Sequence, residues 1–104
     1  MTGKLAGVSQ SLPEPVNLPP ATERKVRSHA VELVELAARH GITALAFASP
    51  GRLLGHLADD RDLFDMFEFQ RAASDLLGAE VMVYSDGALR NRHVSPDLAA
   101  ATPL

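Results

Sequence analysis

Hydrophobic and polar positions change period along the chain, and each change marks an element. Between residues 22 and 40 the apolar positions Val26, Ala30, Leu33, Val34 and Ala37 recur at the spacing of one helical face. Thr22, after the pair Pro19-Pro20, is placed to cap that helix, and Gly41 is a natural residue just past its end. His40 stands at the end of the helix, next to Gly41. Residues 42 to 48, Ile-Thr-Ala-Leu-Ala-Phe-Ala, form an apolar run too short for a helix and bounded by Gly41 and Pro50, which predicts a buried strand. Pro50-Gly51 predicts a turn. Arg52, Leu53, Leu54 and Leu57 suggest one short helical turn after it.

Residues 59 to 77 admit two readings. As a helix, Asp59 or Asp60 caps it, Leu63, Met66, Phe67, Ala73 and Leu77 form a partial stripe, and Gly78 ends it. As a strand from 61 to 69, Leu63 and Phe67 share a face with Asp65 while Phe64 and Met66 share the other with Glu68, so the alternation fails. The helix fits better. Phe64, Phe67 and Phe69 read as core or interface rather than as a base-stacking platform. Residues 79 to 84, Ala-Glu-Val-Met-Val-Tyr, are rich in strand formers and predict a second strand. Asp86-Gly87 marks a turn, residues 88 to 93 one or two helical turns, and Pro96 a break. The tail from 97 to 104 is small and apolar and either packs or frays.

Composition adds limits. With 104 residues one domain is expected. Pro13, Pro15, Pro19 and Pro20 disfavour regular structure near the start, so residues 1–20 are expected to be a flexible, disordered arm and 21–104 the domain. A core this small gains from oligomerisation or a partner. The formal net charge of −3 argues against a broad nucleic-acid surface, leaving a local basic patch around Arg90, Arg92 and His93. The chain has no cysteine, which excludes disulfides and thiolate metal sites and fits a cytoplasmic protein. No apolar run is long enough to span a membrane, and the first residues show no apolar leader.

The candidate chemistry lies where the first strand ends. Ala48-Ser49 closes the apolar run, and Asp59-Asp60-Arg61-Asp62 follows. A strand ending in a small residue plus serine can deliver a turn that cradles phosphates, and close carboxylates can hold magnesium. Asp60 and Asp62 on a strand would share one face. At a helix start they diverge by about 200°, because each residue turns about 100°. Backbone shape from 60 to 69 therefore decides whether the two acids can meet one cation. The plainer readings are a strand-ending turn at Ser49-Pro50-Gly51 and a helix cap with solvated charges at residues 59 to 62.

This order of elements resembles the minimal nucleotidyltransferases of the DNA polymerase beta superfamily over about residues 24 to 104. Three passages carry the likeness: Leu36-Ala37-Ala38-Arg39-His40-Gly41-Ile42; Leu63-Phe64-Asp65 with Gln70 and Leu76-Leu77-Gly78; and Val81-Met82-Val83 with Ala88-Leu89. The resemblance implies a small α/β (α+β) domain with a short sheet of two to three strands packed by helices. The family motif is a Gly-Ser turn, a further glycine, Asp-x-Asp, and a third acid on the last strand. Ser49 matches the serine, Ala48 replaces the glycine, and Pro50-Gly51-Arg52 replaces the residues that follow. The third acid falls near Met82. Either Asp60 and Asp62 are the metal pair and residues 63 to 69 a strand, or Leu63-Phe64-Asp65 begins the helix and the metal-bearing strand is deleted. The second register matches better.

The resemblance supports two expectations. The first is a nucleotidyltransferase-like protein with a degraded site and no cofactor. It would be an antitoxin-type or regulatory partner that forms a homodimer or joins another protein, a HEPN-type toxin being the kind the family is often encoded beside. The alternative is an active enzyme that moves a nucleotide from an NTP to a protein or RNA. There Asp60 and Asp62 would be the catalytic and Mg²⁺-binding acids, and Ser49, Gly51 and Arg52 the nucleotide-binding residues.

Overall fold

The computed structural model describes residues 18–90 and 94–104. The expected arm lies outside the described residues up to position 17. Its last residues are anchored: Pro20 bridges Glu80 in parallel, Pro19 O accepts from Glu80 N at 2.8 Å, and Ala21 N donates to Glu80 O at 3.0 Å.

Two helices stand where one was expected. Helix α1 runs over Glu23–Ser28 and α2 over Ala30–Arg39. Thr22 caps α1 as anticipated, its hydroxyl accepting from Lys25 N at 3.2 Å. The break has a local cause. Ser28 Oγ donates to Lys25 O at 2.9 Å, and His29 Nδ1 lies 3.1 Å from the same carbonyl. Side chains thus take the acceptor that His29 N–H would use in a continuous helix, and that N–H turns to Val26 O instead. Val26, Leu33 and Ala37 are buried as their spacing predicts, whereas Val34 is exposed.

The sheet has four strands rather than two or three: β1 (Ile42–Ser49), β2 (Arg52–Leu57), β3 (Met82–Ser85) and β4 (Thr102–Pro103). Their order is β3-β2-β1-β4. The helical turn expected at residues 52 to 57 is a strand, joined to β1 as an antiparallel hairpin across Pro50-Gly51 with Ser49 opposite Arg52. Gly51 takes a positive φ of 77°, which the tight turn requires. Its N–H donates to Ala21 O and its carbonyl accepts from Met82 N, both at 2.8 Å. The hairpin reading was hidden because Leu53-Leu54 interrupts alternation, although both residues are buried, on opposite faces of the sheet.

In β1 the register slips between Thr43 and Ala46, with Ala44 at a φ of 54°. This bulge turns Ile42 to the same face as Leu45 and Phe47. Gly55 opposite lets the sheet close there, since a Cβ on it would meet Ile42 Cγ2 at 2.6 Å.

Helix α3 spans Leu63–Leu77 and links β2 to the parallel strand β3. The helical reading of this segment holds. The cap is Asp62 rather than Asp59 or Asp60: its carboxylate accepts from Phe64 N while the Asp65 carboxylate accepts from Asp62 N. The buried stripe is Met66, Phe69, Ala73 and Leu77. Phe67 lies about 100° around the helix from Met66 and is exposed, as are Leu63 and Phe64. Gly78 ends the helix in the left-handed conformation as anticipated.

After β3 a 3₁₀ turn covers Asp86–Arg90; residues 91 to 93, which include Arg92 and His93 of the expected basic patch, lie outside the described residues. The tail packs rather than frays. A short helix α4, Pro96–Ala99, precedes β4, which pairs with Ala46 and Phe47 of β1. The sheet therefore has two covered faces. Helices α1 to α3 close one over Val26, Leu33, Ile42, Leu45, Phe47, Leu53, Phe69 and Val81. The other carries a small cluster of Ala46, Leu54 and Leu98. Among the described residues no helix is long and apolar enough to cross a membrane.

Candidate functional site

The hairpin fixes Ser49 and Arg52 side by side, as its closing pair, at the end of the sheet near α4. Strand β3 adds Tyr84, whose ring centroid lies 4.9 Å from the Arg52 guanidinium carbon. That distance suits a cation–π contact, which also limits where the guanidinium can point. The segment leading into α4 supplies Ser95 as its N-cap position, with Pro96 and Asp97 following.

These side chains converge. Ser49 Oγ donates to Asp97 Oδ2 at 2.7 Å. Arg52 Nε lies 3.1 Å from the same oxygen, and Arg52 Nη2 donates to Ser95 Oγ at 3.1 Å. The Nε–H is buried and not aligned for a hydrogen bond, so its contact with Asp97 is an ion pair. The two charged side chains are about a third and a quarter exposed. The Ser49 hydrogen bond holds the Asp97 carboxyl below its usual range. Partial burial opposes that shift, and the Arg52 charge and the backbone N–H groups of Leu98 and Asp97 add to it.

Of the expected nucleotide-binding residues, the structure brings Ser49 and Arg52 together. Gly51 adjoins them, but its N–H points to Ala21. Pro50 has no N–H, so neither residue of this turn offers a backbone donor to a phosphate. Ala48, in place of the motif glycine, packs its methyl against the cluster of Ala46, Leu54 and Leu98.

Asp60 and Asp62 lie elsewhere, between β2 and α3. Asp62 Oδ1 accepts from Phe64 N at 3.0 Å as a helix cap, and Asp60 is an exposed turn residue. A carboxylate fixed on a backbone N–H at a helix start and one in the preceding turn are not a strand-borne pair. Strand β2, which directly follows the Ser49 turn, reads Arg-Leu-Leu-Gly-His-Leu and holds no carboxylate. The expectation that a strand is deleted after the Ser49 turn is corrected to this extent: a strand follows that turn directly. Met82, at the expected third acidic position, pairs with Arg52 across the sheet.

A separate group, His40, Asp65 and Glu68, places one potential ligand atom from each within 4.8 Å of the others. Both Asp65 oxygens are engaged, one 3.2 Å from Arg61 Nη1 and the other on Asp62 N. A cation there would have to displace an arginine.

Ser95, Tyr84 and Asp97 were not expected at the site. Ser95-Pro96-Asp97 carries the signature of a helix start, and that signal is local. Nothing in it indicates that Asp97 reaches a serine 48 positions earlier.

No family model and no curated protein matches the chain. A solved structure proposed to be a minimal nucleotidyltransferase superposes with a TM-score of 0.66 at 25% identity, over 80% of this chain and 96% of that one. The chain thus has a minimal-nucleotidyltransferase-like fold, a small mixed α/β arrangement of one sheet packed by helices.

Proposed function

We propose that this protein is a nucleotidyltransferase-like binding protein whose transfer chemistry is lost, acting as an antitoxin-type or regulatory partner. The observation that carries the reading is strand β2: the segment after the Ser49 turn lies in the sheet yet has no carboxylate. Nucleotidyl transfer needs acids that fix a divalent cation against the phosphates. In this reading Asp60 and Asp62 serve α3 and its surface.

The exposed apolar side chains at the start of α3 support a protein partner. Leu63, Phe64 and Phe67 are 60%, 74% and 58% exposed, more apolar surface in one place than scattered single residues would give. The partner is a second copy or a different protein.

The experiment is a radiolabel transfer and binding assay with ATP, CTP, GTP and UTP, with and without Mg²⁺, beside a measurement of mass in solution. The expected result is no Mg²⁺-dependent nucleotide transfer or binding, and a species heavier than the monomer alone or with its partner. Magnesium-dependent transfer that disappears in a folded Asp60→Asn variant would overturn the reading in favour of an active enzyme. That alternative has one observation behind it, the convergence of Ser49 and Arg52 on a single oxygen.

A further inference from the structure

We propose that Asp97 is a built-in occupant of an anion site. Helix α4 presents its carboxylate to Ser49 and Arg52 in place of an oxyanion, and a free phosphate-type anion binds there once that carboxylate is neutralised. The inference rests on the reading that Ser49 and Arg52 remain from a phosphate-binding end whose reaction is gone.

The donors are set by the sheet, not by Asp97. Ser49 and Arg52 are the closing pair of a two-residue hairpin turn, so their spacing is fixed before α4 docks. Both approach the same oxygen, at 2.7 and 3.1 Å. Tyr84 holds the guanidinium from the side. Two of the guanidinium nitrogens lie on the α4 side, Nη2 donating to Ser95 Oγ and Nε 3.1 Å from Asp97 as an ion pair. A planar guanidinium with two nitrogens on one side is the arrangement that grips a phosphate in bidentate fashion. A hydroxyl and a guanidinium converging on one oxygen would serve an oxyanion equally well.

The occupant is lightly anchored. Helix α4 has four residues and buries only Leu98, in a cluster with Ala46 and Leu54. Beyond it the chain is held by the short β4 pairing, by Leu104 N on Leu45 O at 3.0 Å, and by Arg27 on the Pro103 carbonyl. Those anchors hold the tail on the sheet without using the Asp97 carboxylate. A carboxylate and a phosphate cannot share one guanidinium without like-charge repulsion. Asp97 therefore competes directly with any anion that reaches Arg52.

The test is a pyrophosphate titration without divalent cations, followed by calorimetry and by the amide shifts of Ser49, Arg52 and Ser95. Wild-type protein is expected to bind weakly. Asp97→Asn is expected to bind on the order of tenfold more tightly or better, since one competing charge is removed. Asp75→Asn, which removes an exposed negative charge elsewhere on α3, is expected to leave affinity unchanged, and Asp97→Asn with Arg52→Gln to lose the gain. Equal affinity of folded Asp97→Asn and wild type would overturn the proposal, as would an equal gain in Asp75→Asn. If Asp97→Asn does not fold, Asp97→Ser carries the same test, and failure of both to fold makes Asp97 a structural tie and also overturns it. Nucleotide transfer by the wild type would instead sink the proposed function, and the titration, run without magnesium, reads independently of it.

Discussion

The two faces of the sheet are held by different physics. On the face under α1 to α3, the buried side chains are apolar and several exclude solvent almost completely: Val26, Leu33 and Phe69 are fully buried. On the face under α4, two alanines, Leu54 and Leu98 make a small cluster beside an ion pair that is still partly exposed. The first face is stabilised by removing large apolar area from water, at roughly 25 cal/mol per Å². The second has little such area, and its polar contacts, partly screened by water, are individually weak. The fold resides on the first face, and the residues with chemical potential lie on the second.

The strongest way to break this comparison is Phe69→Ala. Phe69 is completely buried in α3 against the sheet and 6.3 Å from the His40 ring. Truncating a phenylalanine in a core costs about 3–5 kcal/mol, a large share of the roughly 5–15 kcal/mol that holds a small domain together. Urea unfolding followed by circular dichroism should show a midpoint far below wild type, or no cooperative transition. A cost under about 1 kcal/mol, well below the usual range for such a truncation, would show that the helix-covered face does not carry the fold.

Gly55→Ala examines how closely the hairpin is fitted to that face. The added methyl would stand 2.6 Å from Ile42 Cγ2, and Ile42 is itself buried. Overpacking of this kind costs about 1–3 kcal/mol. Thermal unfolding should fall accordingly, and the companion change Ile42→Leu in the same protein, which takes the Cγ2 branch off Cβ, should recover part of the loss. If Gly55→Ala is neutral, the bulge at Ala44 yields more easily than its register implies.

How much of this was legible in the sequence follows the same division. A helix within residues 59 to 77 and a strand over 42 to 48 were readable because spacing and bounding glycines agree, although the helix start was placed two or three residues early. Leu63 and Phe67 were placed in the buried stripe and Phe69 left out of it, the reverse of the structure, since three phenylalanines within six residues offer several stripes and only the packing partners choose among them. Strand β2 was missed because both faces of the sheet are covered at Leu53 and Leu54, which removes the alternation that announces a half-buried strand. At the site, Ser49 and Arg52 stood out by their place after an apolar run. Asp97 did not, because its partners lie 45 and 48 positions away and a helix-start signature accounts for it locally. Asp60 and Asp62 drew attention by their Asp-x-Asp spacing. The cap at Asp62 was not singled out, because the same three-residue step between acids runs from Asp59 to Asp62 and from Asp62 to Asp65.

Asp62→Ala sharpens the comparison from the side of the loop. Removing a helix cap costs about 1 kcal/mol. The expected outcome is a modest loss of stability with no change in divalent-cation binding, measured by calorimetry with Mg²⁺ and Mn²⁺ on wild type and variant. Loss of a measurable cation affinity in Asp62→Ala, with α3 still folded, would return this residue to a metal site.

The smallest effect is a proton equilibrium on the α4 face. The hydrogen bond from Ser49, helped by the Arg52 charge, favours the ionised form of Asp97, so its folded-state pKa lies below the ordinary 3.8. A carboxyl that binds its proton less readily in the folded than in the unfolded chain adds stability at pH above 3.8. That contribution is lost as pH falls through the lowered folded value. The carboxyl carbon shift of Asp97, followed by NMR over the range in which the spectrum stays dispersed, should therefore titrate with a midpoint below 3.8. Ser49→Ala should move the midpoint upward more than Arg52→Gln does, because the serine hydrogen bond is the larger cause. At neutral pH the carboxylate is fully ionised in every case, so the latch on Arg52 is a constant of the folded protein there. A midpoint at or above 3.8 in wild type, or no response to Ser49→Ala, would mean that the 2.7 Å contact does not persist in solution.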